Sequence, residues 1–283
     1  MAEVAYTPEF VERGYNNRAA VPEYAAWFER WDRQSREAIA ALAPRRDVRY
    51  GRGPKETLDL YLPSGTPRGT LVFIHGGWWR SLDKDDHGFV APPFVEAGLA
   101  VALLNYDLCP QVSIGDIVDE VRRGVAFLVR EGPRLGIGSG PLVTSGHSAG
   151  GHLAAMLHAT SAADFGVERH PVHGGVSLSG VHDLEPLVLF AHNVDFKLDA
   201  ARARALSPVH HTPQTHAPFL VAVGNDETGE FVRQTELLFD AWPANRPSGA
   251  QGPMRIANRH HYSVVLDYAD AGSALTQATL ALF

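Results

Sequence analysis

Short apolar runs alternate with longer amphipathic segments from Tyr50 onward, and this alternation restricts the chain to few folds. The runs have strand length and few polar positions, as expected for strands buried on both faces of a sheet. The segments between them have helical spacing. Together they predict an α/β protein with a mostly parallel central sheet and helices on both faces. The predicted strands are 71–74, 101–104, 142–144, 176–178, 219–223 and 253–256, and the clearest helices are 117–129 and 149–159.

The chain up to about Leu42 is predicted to be helical, and Pro44 then ends the helix. Four aromatic residues in this stretch follow the spacing i, i+3, i+4 and i+7, namely Tyr24, Trp27, Phe28 and Trp31. This aromatic stripe is expected to pack on the domain, and part of it is a candidate roof for an active site. We therefore expect one domain, 1–283, with an N-terminal helical extension of about 1–45.

Composition excludes several classes of function. A formal net charge of −7 argues against a nucleic-acid partner or an anionic membrane surface. Cys109 is the single cysteine, so no disulfide can form within the chain. The first residues resemble no signal peptide, and no apolar run reaches the roughly 18 residues of a membrane span. We expect a soluble, cytoplasmic protein, and the sequence leaves a homodimer open.

The strongest motif follows the predicted strand 142–144. It is Gly146-His147-Ser148-Ala149-Gly150, and a helical pattern continues after it. A serine at the tip of a sharp strand-to-helix turn needs small residues two positions away on each side, so that strand and helix can approach closely. The alternative is a plain glycine-rich turn, but the strand–turn–helix context favours Ser148 as a nucleophile.

A second glycine motif, His75-Gly76-Gly77-Trp78-Trp79, follows the strand 71–74. Hydrolysis through a tetrahedral oxyanion needs preorganised donors, and backbone N–H groups serve well. We expect the oxyanion hole to consist of N–H groups of Gly76, Gly77 or Trp78, together with that of Ala149. A simple turn is the alternative interpretation.

The acid and the base of a serine triad are expected after the nucleophile, in that order. Asp226 and Glu227 follow the strand 219–223, and His260 and His261 follow the strand 253–256. A histidine takes the serine proton, and a buried carboxylate fixes its tautomer. Spacing leaves the choice within each pair open.

These motifs resemble those of the α/β-hydrolase arylformamidases, also called kynurenine formamidases. The likeness covers nearly the whole chain and extends through 15–18, 82–85, 105–108, 207–208 and 230–234. In this family the histidine precedes an aromatic residue, which implies His261. The acid lies four residues before the phenylalanine that corresponds to Phe231, which implies Glu227, with Asp226 as its rival. The family motif has tyrosine where this chain has Trp78.

The resemblance implies hydrolysis of N-formylkynurenine to kynurenine and formate in tryptophan breakdown. Trp78, Trp79 and Tyr106 are candidates to flank this small aromatic substrate, with ordinary packing as the alternative for each, and no cofactor or metal is implied. Arg18, Arg80 and Lys84 are candidates to pair with its carboxylate, although each is more often a surface charge. The alternatives are a short-acyl carboxylesterase and a non-catalytic binding protein of the same fold.

Overall fold

Eight strands form one twisted sheet in the computed structural model, which describes residues 6–283. The strand order is β1-β2-β4-β3-β5-β6-β7-β8. The strands from β4 to β8 along this order run parallel, whereas β1 and β2 join antiparallel at one edge. The strands are β1 Arg45–Arg49, β2 Thr57–Tyr61, β3 Thr70–Ile74, β4 Ala100–Leu104, β5 Leu142–His147, β6 Val172–Leu178, β7 Phe219–Gly224 and β8 Met254–Ile256.

Helices cover both faces of the sheet. Successive residues of a strand point to opposite faces, so Val72 and Ile74 pack in one apolar layer while Leu71 and Phe73 pack in the other. The prediction of an α/β-hydrolase fold is confirmed. The α-helices are α1 Pro8–Tyr15, α2 Asn17–Ala20, α3 Tyr24–Leu42, α4 Ala91–Glu96, α5 Ile114–Leu135, α6 Ala149–His158, α7 Asn193–Phe196, α8 Ala200–Ala205, α9 Gly229–Ala241 and α10 Ala274–Leu280.

The N-terminal stretch forms three helices where the sequence predicted one helical segment. Asn16 separates α1 from α2, and its side chain accepts a hydrogen bond from Ala19 N at 3.0 Å. Pro22 lies between α2 and α3, where its ring is incompatible with a continuing helix. In the described part of the chain, no helix is both long and apolar enough to cross a membrane.

The strands β1 and β2 were not predicted. Four of the five residues of β1 are exposed, and the strand is polar throughout apart from Val48. An edge strand of this kind gives no apolar signal, and charged residues are typical of such edges. The strand β2 alternates polar and apolar residues but is fully buried.

The register of the parallel strands brings their carboxyl ends to one level. Ile74 of β3 lies opposite Gly146 of β5, and Leu178 of β6 lies opposite Ala222 of β7. The loop after β3 and the turn after β5 therefore emerge side by side. This edge of the sheet holds the predicted site residues.

Candidate active site

Ser148 occupies a strained turn between β5 and α6. Its φ of 57° and ψ of −119° are unfavourable for a residue with a side chain, and such strain concentrates at functional sites. A Cβ on Gly146 would lie 2.0 Å from Gly150 O, and a Cβ on Gly150 would lie 2.0 Å from Ile74 O. Both glycines are therefore required by close backbone contact, as the motif predicted.

Ser148, His261 and Glu227 form a continuous chain of hydrogen-bonding distances. Ser148 Oγ lies 3.0 Å from His261 Nε2, and His261 Nδ1 lies 2.7 Å from Glu227 Oε2. With Nδ1–H donating to the carboxylate, Nε2 is free to accept the serine proton. All three side chains are buried or nearly so.

The two neighbouring carboxylates at the end of β7 have different surroundings. The Glu227 side chain is fully buried, and its Oε1 accepts hydrogen bonds from Ser179 Oγ at 2.5 Å and Gly224 N at 2.8 Å. Asp226 is exposed, and its backbone N–H donates to Arg259 O. The structure therefore places Glu227, and not Asp226, against His261.

Two further residues hold the loop that carries His261. The Nε2–H of His147 donates to His261 O at 2.9 Å, and burial lowers the pKa of His147 well below its usual value, so its ring is neutral. The indole N–H of Trp31, on α3, donates to Tyr262 O at 3.0 Å. Trp31 belongs to the aromatic stripe, part of which was predicted as a candidate roof for the site, whereas His147 and Ser179 were not assigned to the site. The sequence signals that could have identified these two residues were a polar side chain next to Ser148 and another directly after β6.

The loop after β3 has an unusual backbone. Gly77, Trp78 and Trp79 have φ values of 100°, 55° and 54°. A side chain on Gly77 would place its Cβ 2.1 Å from Ser81 O, so only glycine fits. Within residues 6–283, the N–H groups of Gly77, Trp78 and Ala149 donate no hydrogen bond to the protein. They are thus available as oxyanion donors.

Gly76 brings this loop against the nucleophile, because a Cβ added to it would lie 3.1 Å from Ser148 Cβ. The loop is supported from behind by a stack of His75 on Tyr106, with ring centroids 4.2 Å apart. The Tyr106 hydroxyl donates to His75 O at 2.9 Å, and His75 Nε2 lies 3.0 Å from Asn105 Oδ1. Burial lowers the pKa of His75 to about 4.

Trp79 and Tyr106 do not line the site, which corrects the prediction that they flank the substrate. Both side chains are completely buried. Trp79 packs edge-on against His152 and Phe196 beneath the loop. At the turn of Trp78 and Trp79 the two indoles point in different directions. Of the three predicted aromatic residues, only Trp78 therefore lines the open space above Ser148.

Two adjoining cavities open above Ser148. The inner cavity has a volume of about 50 Å³, and its walls include Ser148, His261, Trp31 and Phe28. The aromatic stripe of α3 therefore contributes to the roof of the site. The outer cavity has a volume of about 540 Å³. Both cavities are lined by Asn17, Arg18, Trp78, Ser81 and Tyr262.

The sequence and the structure of this chain are similar to those of several known proteins. The family model described as BD-FAE matches residues 58–241. The kynurenine formamidase of Salmo salar is 31% identical over 242 residues, which cover 83% of this chain and 80% of that protein, and the one from Danio rerio gives the same values. A crystal structure from Silicibacter sp., described as a "putative thioesterase", is 32% identical with a TM-score of 0.84, and the match covers 95% of this chain and 98% of that one.

These matches extend over most of the chain, and they agree with the fold. On this evidence the chain belongs to the α/β-hydrolase family of the kynurenine formamidases.

Proposed function

We propose that this enzyme hydrolyses aryl formamides, and N-formylkynurenine in particular, through a triad of Ser148, His261 and Glu227. The proposal is supported by the hydrogen-bonding distances along the three side chains. It is supported further by the small volume of the cavity at Ser148 and by the named relatives.

Acylation begins when Ser148 Oγ attacks the formyl carbonyl while His261 Nε2 takes its proton. Glu227 holds the ring in the required tautomer and stabilises the imidazolium that forms. The oxyanion receives hydrogen bonds from N–H groups of the Gly76–Trp78 loop and from Ala149 at the start of α6. His261 then protonates the departing arylamine, and the formyl group stays on Ser148.

Deformylation uses the same groups in reverse. Water, activated by His261, attacks the formyl ester, and Ser148 recovers its proton as formate leaves. The arylamine nitrogen is a better leaving group than an alkylamine, which suits a triad without further catalytic groups.

The small size of the inner cavity is the observation that supports formyl as the acyl group of the substrate. The inner cavity, at about 50 Å³, is about a tenth of the volume of the outer one, at about 540 Å³. A narrow space beside the nucleophile favours the two non-hydrogen atoms of a formyl group over the longer butyryl chain. The aromatic amine then extends into the outer cavity, beside Trp78.

We expect kcat/KM to fall steeply from N-formylkynurenine to its N-acetyl and N-butyryl analogues, by at least about 100-fold over the series. We also expect the formamide to exceed p-nitrophenyl acetate and butyrate by several hundredfold, on the order of 3–4 kcal/mol in transition-state binding. Steady-state kinetics on one preparation tests both.

A short-acyl carboxylesterase is the main alternative, because the triad serves esters equally well. The Silicibacter structure, described as a "putative thioesterase", supports an acyl hydrolase that is not a formamidase. Equal or higher kcat/KM for the butyrate ester would assign the function to it. Covalent labelling of Ser148 by a fluorophosphonate excludes a binding protein without activity.

Trp31 is expected to act as a positioning residue. The substitution Trp31→Phe keeps an aromatic ring but removes the hydrogen bond to Tyr262 O. We expect kcat to fall about 3- to 10-fold with little change in KM, because the adjacent His261 loses its fixed position. The free energy of unfolding should fall by about 1 kcal/mol.

Trp242→Phe is the matched control, since the Trp242 indole also donates to a backbone carbonyl, that of His211, at 2.9 Å. Trp242 lies in a separate apolar cluster. The Trp242→Phe enzyme should lose a similar free energy of unfolding but retain the wild-type kcat. If both variants lose kcat in parallel with stability, Trp31 has only a structural role.

A further inference from the structure

The outer cavity has a charge pattern that indicates an anionic ligand. Two guanidinium groups, those of Arg18 and Arg80, line it, and the lining includes no aspartate or glutamate. A cavity with cationic side chains and no carboxylate favours a substrate that carries a negative charge.

The three basic residues that were candidates for a carboxylate differ in their partners. Lys84 is 3% exposed and is bound by Asp47, Asp59 and Asp85. Its charge is therefore neutralised by these carboxylates, and Lys84 cannot bind a ligand.

Arg80 is also engaged, because its Nε lies 2.7 Å from Asp195 Oδ2. Arg18 is different: it is exposed, and in the described part of the chain no carboxylate lies within 4.0 Å of it. Its guanidinium lies over the ring of Tyr24, 5.1 Å from the centroid, and beside the Tyr262 side chain, so its neighbours are neutral groups. Arg18 is the available cation of this cavity.

The neighbouring residue Asn17 is a second polar group of these cavities. The preceding Asn16 uses its amide structurally, donating to Glu12 Oε1 and accepting from Ala19 N. Asn17 is only 4% exposed, yet its side chain makes no hydrogen bond to any of residues 6–283, and it lines both cavities. Its amide therefore faces the cavities, where water or a ligand can complete its hydrogen bonds.

We propose that Asn17 and Arg18 form a subsite that selects aryl formamides carrying a carboxylate. Arg18 binds the carboxylate at the far end of the leaving group. Asn17, at the junction of the cavities, binds the polar groups next to the aromatic ring, since an amide can both donate and accept. This inference rests on the proposed function for the position of the scissile bond. The preference of the subsite for a carboxylate can be tested separately from formamide hydrolysis.

The first experiment compares N-formylkynurenine with 2-formamidoacetophenone, which keeps the aryl ketone and lacks the amino-acid group. The wild-type enzyme should prefer N-formylkynurenine in kcat/KM by about tenfold or more, the range of a charge-assisted hydrogen bond. Arg18→Gln should remove most of this preference through KM. Asn17→Asp, nearly equal in size, should reduce it as well by repelling the carboxylate.

Arg13→Gln is the matched control, because Arg13 is exposed on α1 and lines neither cavity above Ser148. It removes the same charge from the N-terminal helices and should leave the preference intact. A preference that survives Arg18→Gln, or that is lost only in Arg80→Gln, overturns the subsite.

A second measurement does not need formamide turnover. Kynurenine and 2-aminoacetophenone are compared as inhibitors of p-nitrophenyl acetate hydrolysis. Stronger inhibition by kynurenine that disappears in Arg18→Gln supports the subsite even if N-formylkynurenine is not hydrolysed, which separates the two proposals. Equal inhibition by the two compounds in the wild-type enzyme contradicts the subsite, whatever the enzyme hydrolyses.

Discussion

Ser148→Ala is expected to lower kcat for N-formylkynurenine by about 10⁴-fold or more, leaving a small residual rate from the oxyanion donors and substrate binding. The Ser148 hydroxyl contacts His261 Nε2 at 3.0 Å, and alanine offers no nucleophile in its place. Steady-state kinetics together with fluorophosphonate labelling measures the effect. The variant should take up no label.

The fold should survive this substitution, because the Ser148 hydroxyl makes no hydrogen bond among the described residues except the one with His261. Alanine has a Cβ like serine and keeps the same backbone strain at φ 57°. Ser148→Gly is the informative companion variant. Glycine tolerates this backbone, so it should be equally inactive yet more stable than Ser148→Ala by about 1 kcal/mol.

Thermal or denaturant unfolding compares the two variants. Retained turnover in either variant would contradict the assignment of the nucleophile. Loss of activity accompanied by loss of structure in Ser148→Ala would leave Ser148→Gly as the deciding variant, since it relieves the strain.

Glu227→Gln is expected to lower kcat by about 10³- to 10⁴-fold, comparable to the loss known for the equivalent change in a serine protease triad. Two donors, Ser179 Oγ and Gly224 N, face Oε1 and hold an oxygen at that position. The amide nitrogen of glutamine must then face His261 Nδ1. It donates to that nitrogen, which moves the imidazole proton to Nε2 and prevents Nε2 from accepting the proton of Ser148.

Asp226→Asn provides the matched control, because it makes the same chemical change one residue away on an exposed side chain. We expect its kcat to stay within about threefold of the wild-type value. Steady-state kinetics of both variants with one substrate shows which of the two carboxylates is the acid of the triad. Equal losses, or a larger loss in Asp226→Asn, would show that the Glu227 contact is not the catalytic one.

Several features of the fold could be predicted from local sequence. The parallel strands are short apolar runs, and burial on both faces removes polar residues from every position, so the runs are visible without any knowledge of their neighbours. The strand β1 could not be found in this way. Its residues are charged and exposed, and only pairing with β2 makes them a strand.

The turn at Ser148 was also predictable, because its geometry depends on a few adjacent residues. Gly146 and Gly150 are required by contacts that lie within the turn and the strand beside it. The general order of nucleophile, acid and histidine follows from the order of strands in the sheet. The chain alone therefore determined the fold class, the nucleophile candidate and the region of the site.

Other features depended on which distant segments meet. The choice between Asp226 and Glu227 was decided by the turn after β7, which buries one carboxylate against His261 and exposes the other. Trp31 reaches Tyr262 across 231 residues of sequence. Packing under the loop, which no sequence pattern encodes, buried Tyr106.

The same reason explains the cavities. Their walls combine residues of α2, α3, the loop after β3 and the loop after β8, and the volume left between these segments is a property of their packing. The sequence by itself determined the chemistry that the chain can carry, because reactive residue types and turn glycines act locally. Only the tertiary structure decided which side chains face the nucleophile and how much room an acyl group has, because both depend on contacts between segments far apart in the chain.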